Sequence, residues 1–505
     1  MPPIIAPTGA PAFASGDPFE QTRAALRDIL RRVFKGEFDL RHVLVGLALL
    51  CSAAVQAAPT EIQFWHAMGG PLGDQVEAIA QRFNASQKDY VVATAYKGNY
   101  DETMSAAVNA FRAGKAPHVV QPHVVQVYEL ATANMMAAPN NVVRPVWQVM
   151  AEAGEKLDAK AFVPAVASYF SDAQGRLEAL PFNSSTPMLF YNKDAFRAAK
   201  LDPDKPPKTW YEFVPTIAAL KDVAGLPCGY VTSWQSWVHL ENASAWHNQE
   251  FATRHNGLAG LDAKLSFNTH LMMRHISTLA SWVKAEYFTP TGRRDDAEAR
   301  FTTGACALLT ASSSTYAELR EAAKFDFGVS PLPYYDDVKG APQNTLIGGG
   351  GLWVIGGHKK PEYQGVAKFL AYLAKPEVQA DWHQKTGYVP TTLAAYELTK
   401  KSGFYDKNPG HELAIRQLLL KNPTSDSKGI RLGDFVRIRT IIDEELDQVW
   451  AFTKTPKQAL DAAVERGNVV LRQFEAANRV AARHSAAAPA KKAAKPAADP
   501  GAKKK

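Results

Sequence analysis

The 505 residues are 46% hydrophobic, enough to bury a large core and to form two domains. The formal charge of +7 is concentrated at the chain ends: residues 483–505 hold Arg483 and six lysines against Asp499, and residues 1–57 hold six basic against five acidic side chains. The body between them is close to neutral, which excludes the electrostatic footprint of a nucleic-acid-binding domain and points to small molecules or proteins as partners.

Residues 1–57 read as a signal peptide with a long n-region. Val43 to Ala57, VLVGLALLCSAAVQA, is apolar, follows Arg31, Arg32, Lys35 and Arg41, and ends in small residues. It is shorter than the roughly 20 residues that a membrane span needs, so cleavage is expected after Ala57 or Ala58. Cys51 leaves with the signal, because Leu50 stands where a lipoprotein signal needs a small residue. Cys228 and Cys306 remain, readable either as one disulfide in an oxidising compartment or as two buried small hydrophobes.

Glu61-Ile-Gln-Phe-Trp-His66 alternates as a strand does. Gly69 and Gly70 make a turn, and Leu72 to Ser86 places apolar residues at 72, 76, 79, 80 and 83, a helical stripe. A strand over Tyr90–Tyr96 and a helix over Asp101–Gly114 follow, so the chain opens as an α/β sheet protein. Similar units recur around Met188–Lys200, Cys306–Ala323 and Gly351–Lys375. Pro117 to Gln126 reads PHVVQPHVVQ, a tandem five-residue repeat expected to form a loop or a lengthened strand. From about Arg483 the chain is Ala, Pro and Lys, a composition that does not build a core and predicts a disordered tail over 483–505.

Several motifs join turn chemistry to polar or aromatic groups. Leu180-Pro-Phe-Asn-Ser-Ser-Thr-Pro187 brackets a hydroxyl cluster with prolines, which predicts an extended or turn segment between regular elements, presenting donors to a small anion. Lys97-Gly-Asn-Tyr100 ends a strand. Leu309-Thr-Ala-Ser-Ser-Ser314 predicts a strand end whose hydroxyls cap a helix starting near Thr315, an arrangement suited to an anion. Ile347-Gly-Gly-Gly-Gly351 allows close backbone approach but lacks the ending of a nucleotide-binding loop. Gly429 to Trp450 carries three arginines within nine residues, fit for bidentate phosphate recognition or for a solvated face. The tryptophans of Ser233-Trp-Gln-Ser-Trp237 suit a core or the apolar wall of a polyol pocket. The 13 histidines are scattered, and neither a metal-ligand spacing nor a nucleophile elbow is present, so the sequence offers binding groups without reaction machinery.

FWH, YKGNY, PFNSSTP, CGY with WQSW, LENASAW, TASS, APQN with IGG, WHQKTGYVP, GFYDKNPG and IIDEEL occur in this order. On these strings the chain, from about Thr60 to Asn478, resembles the periplasmic glycerol-3-phosphate-binding proteins of bacterial ABC uptake systems, within the extracellular solute-binding family that includes maltose-binding proteins. The resemblance implies a two-lobed α/β Venus-flytrap fold with a mixed sheet in each lobe and several interlobe crossovers. Residues 58–184 plus 328–385 would form one lobe, and 185–327 plus 386–482 the other. It further implies a monomeric, non-enzymatic protein without cofactor or metal. Such a protein would capture glycerol 3-phosphate, with glycerophosphodiesters such as glycerophosphocholine as a further ligand class, and deliver it in the periplasm to a permease and ATPase complex of the inner membrane. Carried over by motif, Tyr100 and Glu129 would meet the polyol end. Ser185, Ser312, the Gly349 amide, Tyr388 and Arg439 would meet the phosphate, and Trp234 and Trp237 would wall the glycerol backbone. Arg437, two residues before the ligand arginine, would face solvent. The repeat lies just upstream of Glu129 and is expected to loop out, since a one-residue slip would turn Glu129 to the wrong face. Arg439→Ala would remove phosphate binding and leave the fold intact. A neutral oligosaccharide-binding protein and a periplasmic phosphodiesterase are the alternatives.

Overall fold

The computed structural model describes residues 58–126, 142–172 and 174–487, together with Arg27. The signal-peptide segment, Cys51 and Glu129 lie outside the described residues. Among the described residues no helix is long and apolar enough to cross a membrane.

The chain opens with β1 (Thr60–His66), α1 (Gly70–Ser86), β2 (Tyr90–Tyr96), α2 (Tyr100–Arg112) and the short β3 (Val119–Val120). In β1 the alternation does what its period dictates: Ile62, Phe64 and His66 are buried and their neighbours are not. In α1 the stripe buries Val76, Ile79, Ala80 and Phe83, the three larger side chains contributing roughly 1.5–3 kcal/mol each when they leave water. α2 begins where Asn99 accepts the backbone N–H of Asp101 and Glu102 while the Glu102 side chain takes the Asn99 N–H, a complete capping box. Beyond lie β4 (Val143–Arg144), β5 (Leu180–Ser185), β6 (Pro187–Asn192), β7 (Cys228–Thr232), β8 (Cys306–Ser312), α3 (Thr315–Ala322), β9 (Phe327–Pro331) and β10 (Gly348–Ile355). Four helices then matter for the site and its support: α4 (Lys360–Leu373), α5 (Pro376–Thr386), α6 (Phe435–Trp450) and α7 (Pro456–Ala487).

The strands form two mixed sheets. One runs β2-β1-β3-β10-β4, with β5 paired antiparallel to β10; the other runs β7-β8-β6-β9. β1 pairs parallel with both β2 and β3, and β7 pairs parallel with β8, whereas β6 is antiparallel to its two neighbours. The chain passes from the first sheet to the second at Thr186, between β5 and β6.

Several expectations need correction. Asn183 to Ser185 are not between regular elements but within strand β5, because the Gly348–Gly350 backbone supplies a partner edge that the sequence does not reveal. For the same reason β10 starts at Gly348, before the expected unit at Gly351. β9 pairs with β6 in the second sheet, so the chain is still in that sheet beyond residue 328 and returns only between β9 and β10. α7 continues to Ala487, five residues into the segment assigned to the tail, as the helix propensity of its alanines allows. Of the two readings left open for Cys228 and Cys306 the disulfide is the one found: they face each other across β7 and β8 with Cα atoms 4.5 Å apart.

The two copies of the repeat fold differently. The first supplies β3, and the second leaves the strand through a bridge from His123 to Gly350 and a 3₁₀ turn over Val124–Gln126. All four valines are buried.

Candidate functional site

Tyr100, Ser185, Trp234, Trp237, Ser312, Gly349, Tyr388 and Arg439 line a single cavity of about 490 Å³ between the connections of the two sheets.

Each residue is placed by its local chain. Gly98 takes φ +84° and turns the chain into the Asn99 cap, which sets Tyr100 on the first turn of α2. The Tyr100 hydroxyl accepts a hydrogen bond from Asn183 Nδ2 at 2.7 Å, and Gln121 Nε2 donates to Asn183 Oδ1 at 2.7 Å, so β5 and α2 are tied behind the cavity. Ser185 ends β5, opposite Gly348 of β10. Gly349 has φ +93°, and a Cβ there would stand 1.8 Å from the Asn183 carbonyl oxygen, so only glycine keeps β10 at this distance. Gly387, at φ +74°, ends α5 and reverses the chain so that Val389 N–H donates to Ser184 O at 2.8 Å. That turn holds Tyr388 beside the crossover, with its ring parallel to Trp382 at 5.9 Å.

On the opposite wall Ser312 ends β8 and accepts the Ser314 backbone N–H at 3.3 Å, with the two hydroxyls 2.8 Å apart. The expected cap of α3 by these hydroxyls is only this local contact, because Ser314 itself adopts helical backbone angles and makes no capping bond. Trp234 takes φ +51° and donates its N–H to the Arg294 carbonyl at 2.7 Å, and Trp237 follows on a π-helical turn, Trp237–Asn242. The Trp237 indole N–H is buried without a hydrogen-bond partner among the described residues.

Arg439 projects from α6, and its Nε and Nη2 donate to the two carboxylate oxygens of Glu241 at 2.7 Å each. Glu241 was not anticipated as a site residue. Its pairing with a residue 198 positions away leaves no local trace in the sequence, although LENASAW contains it. The pair is deeply buried, with side-chain exposures of 11% and 3%, so the arginine fork is held rigid and half neutralised. Arg437 donates to Gln473 at the exposed surface, as its expected solvent-facing position requires.

A second ion pair, Arg294 to Asp101 at 2.5 Å, links the β7–β8 connection to α2, with Arg294 also lining the cavity. Asp101 also accepts from Gln126 Nε2 at 3.1 Å. Near α3, burial and then Asp295 and Glu318 raise the Glu298 carboxyl to about 8, so it lines the cavity as a neutral acid at pH 7. Burial likewise raises the Tyr388 and Tyr100 hydroxyls, which stay protonated. The wall therefore offers hydroxyl and amide donors beside two guanidinium groups, Arg439 paired with Glu241 and Arg294 paired with Asp101, with Asp295 and Glu318 also on the lining.

His118, His358 and Glu362 place their donor atoms within 4.8 Å of one another. His118 Nδ1, however, accepts the Gln63 N–H at 3.0 Å, which leaves the ring proton on Nε2 where an ion would need a lone pair. The cluster does not have the chemistry of a metal site.

The family described as "Bacterial extracellular solute-binding protein" matches residues 78–412. The sn-glycerol-3-phosphate-binding periplasmic protein UgpB of Salmonella paratyphi A is 52% identical over 443 residues, covering 87% of this chain and 99% of the relative. That of Yersinia pestis (bv. Antiqua, strain Antiqua) is 51% identical over 448 residues, covering 88% and 100%. Among solved structures, UgpB from Mycobacterium tuberculosis in complex with glycerophosphocholine superposes with a TM-score of 0.68 at 22% identity, covering 82% of this chain and 98% of that one. Maltose-bound T. maritima MalE3 superposes with a TM-score of 0.64 at 18% identity, covering 81% and 98%. The fold is the two-lobed one of periplasmic binding proteins.

Proposed function

The chain belongs to the bacterial extracellular solute-binding protein family, and we propose that within it the protein is the ligand-capturing component of an ABC importer for sn-glycerol 3-phosphate. One observation carries this reading beyond the likeness to named relatives. Eight of the nine residues expected to meet a glycerol phosphate, all but Glu129, which lies outside the described residues, line one cavity from motifs up to 339 positions apart, Tyr100 to Arg439.

In this reading Arg439 meets the phosphate with the edge that Glu241 leaves open, while Ser185, Ser312, the Gly349 amide and Tyr388 donate to its oxygens. Tyr100 and Glu129 take the hydroxyls, and Trp234 and Trp237 cover the carbon chain. A half-neutralised arginine with neutral donors holds an anion without trapping it, which suits a protein that must release its cargo. Glycerophosphodiesters such as glycerophosphocholine form the second ligand class. The protein acts as a monomer in the periplasm after cleavage near Ala57 or Ala58, performs no chemical turnover, and hands the ligand to a permease and ATPase complex of the inner membrane.

Titration calorimetry on the mature chain tests the assignment. Saturable heat with glycerol 3-phosphate or glycerophosphocholine, and none with maltose, is expected. Silence with both phosphate ligands would overturn it, and release of choline or glycerol from the diester would favour a phosphodiesterase.

A further inference from the structure

The tandem repeat has no part in the function proposed above, and its two histidines do different things. His118, in the first copy, is stacked against His358 at 4.0 Å between ring centres. His123, in the second, faces the cleft: it lines the 490 Å³ cavity and also an adjoining chamber of about 350 Å³. Tyr100, Trp234, Arg294 and Arg439 line both as well.

The imidazole of His123 is fixed on every side but one. Its ring meets Tyr100 edge-on at 4.9 Å and lies nearly parallel to Trp234 at 6.3 Å. Its backbone N–H donates to Gln126 Oε1 at 3.0 Å, and Gln126 in turn reaches Asp101 of α2, so the turn is tied to the helix that carries Tyr100. The backbone N–H of Val125 donates to His123 Nδ1 at 3.2 Å. Nδ1 is therefore the lone-pair nitrogen, and the proton of the neutral ring sits on Nε2. Burial, then Arg439 and Arg294, keep the ring neutral by pushing its pKa well below the ordinary histidine value. Nε2 has no hydrogen-bond partner among the described residues, and the residue as a whole is 9% exposed. An unpartnered donor of fixed tautomer on a cavity-lining residue is available to an acceptor in the cavity.

We propose that His123, carried into the cleft by the second copy of the repeat, is a ligand-binding residue whose Nε2–H donates a hydrogen bond to an oxygen of the bound glycerol phosphate. The inference rests on the function proposed above. It makes the five-residue duplication a change to the binding site, adding a donor beside Tyr100.

The test is calorimetry of glycerol 3-phosphate with the mature chain and two variants, each checked by thermal melting. His123→Phe keeps the ring contacts with Tyr100 and Trp234 but has no N–H, and it should bind about tenfold more weakly, the loss expected for one hydrogen bond. His123→Gln keeps a donor and should stay within about threefold of wild type. The ratio of wild-type to His123→Phe affinity should be constant between pH 6 and 8, since the ring is neutral throughout. Unchanged affinity in His123→Phe would overturn the inference, as would a loss in His123→Gln as large as that in His123→Phe at unchanged melting temperature, because a retained side-chain donor would then rescue nothing. A wild-type chain that takes no glycerol 3-phosphate would instead overturn the function itself.

Discussion

Replacing Arg439 with alanine does more than remove a phosphate contact. Glu241 keeps its carboxylate in a pocket where its side chain is 3% exposed, and both of its oxygens lose their donors at once. Breaking a buried pair from one side costs about 3–5 kcal/mol, because the surviving charge is stranded in a medium of low dielectric. The guanidinium also leaves its place 5.4 Å from the Phe435 ring, a smaller loss of order 0.5–1 kcal/mol. The Arg439→Ala variant should therefore unfold at lower urea and bind glycerol 3-phosphate at least ~10–100-fold more weakly, the cost of one charge-assisted hydrogen bond. Adding Glu241→Gln removes the stranded charge. The double variant should regain most of the lost stability, about 2–4 kcal/mol, and none of the affinity. Urea unfolding followed by tryptophan fluorescence reads the first quantity and calorimetry the second. A single variant as stable as wild type, with nothing gained from Glu241→Gln, would refute the idea that the pair is a structural unit. Recovery of affinity in the double variant would remove Arg439 from the phosphate site.

Gly349→Ala forces a Cβ into the Asn183 carbonyl at a backbone angle that costs ~1–3 kcal/mol for a non-glycine residue, so it should both lower the melting temperature and weaken ligand binding; a neutral outcome would show that β10 can shift away from β5. The Cys228–Cys306 link closes a loop of sequence separation 78, and Cys228→Ala with Cys306→Ala should cost about 4 kcal/mol of stability without changing affinity, since neither residue lines the cavity; equal melting of both forms under oxidising conditions would contradict this. Glu298 titrates near 8 when folded against an ordinary 4.5, so it favours the folded state at low pH and loses that contribution, up to ~5 kcal/mol, as pH rises through 8. Glu298→Gln should thus gain on wild type in urea midpoints from pH 5 to pH 9, and parallel pH profiles of the two proteins would count against a buried neutral acid.

Much of the architecture is legible in the sequence because its signals are local. The alternation of Glu61–His66 and the stripe at 76, 79, 80 and 83 are period effects, and both are borne by the structure as strand and helix. The strand character of Asn183–Ser185 and Gly348–Gly350 is not local: each segment is a poor strand former alone, and each becomes one by pairing with the other across more than 160 residues. The site divides in the same way. Groups belonging to recognisable motifs, such as Tyr100 and Ser312, line the cavity. Glu241, Asn183 and Gln121 hold other residues in place, and nothing in their own neighbourhood of sequence announces it. His123 lay in plain view within the repeat, yet its role depends on which copy the strand takes, and that is settled only by the register of β3 against β1.

The Arg294–Asp101 contact has a consequence for the lifetime of the captured ligand. Its side chains are 45% and 38% exposed, so the attraction is open to screening by dissolved ions, unlike the Arg439–Glu241 pair within. It joins the β7–β8 connection to α2 beside the cavity that Arg294 lines. Raising the ionic strength should weaken this tie while the interior pair holds, so a ligand whose retention depends on the tie should leave sooner in saltier surroundings.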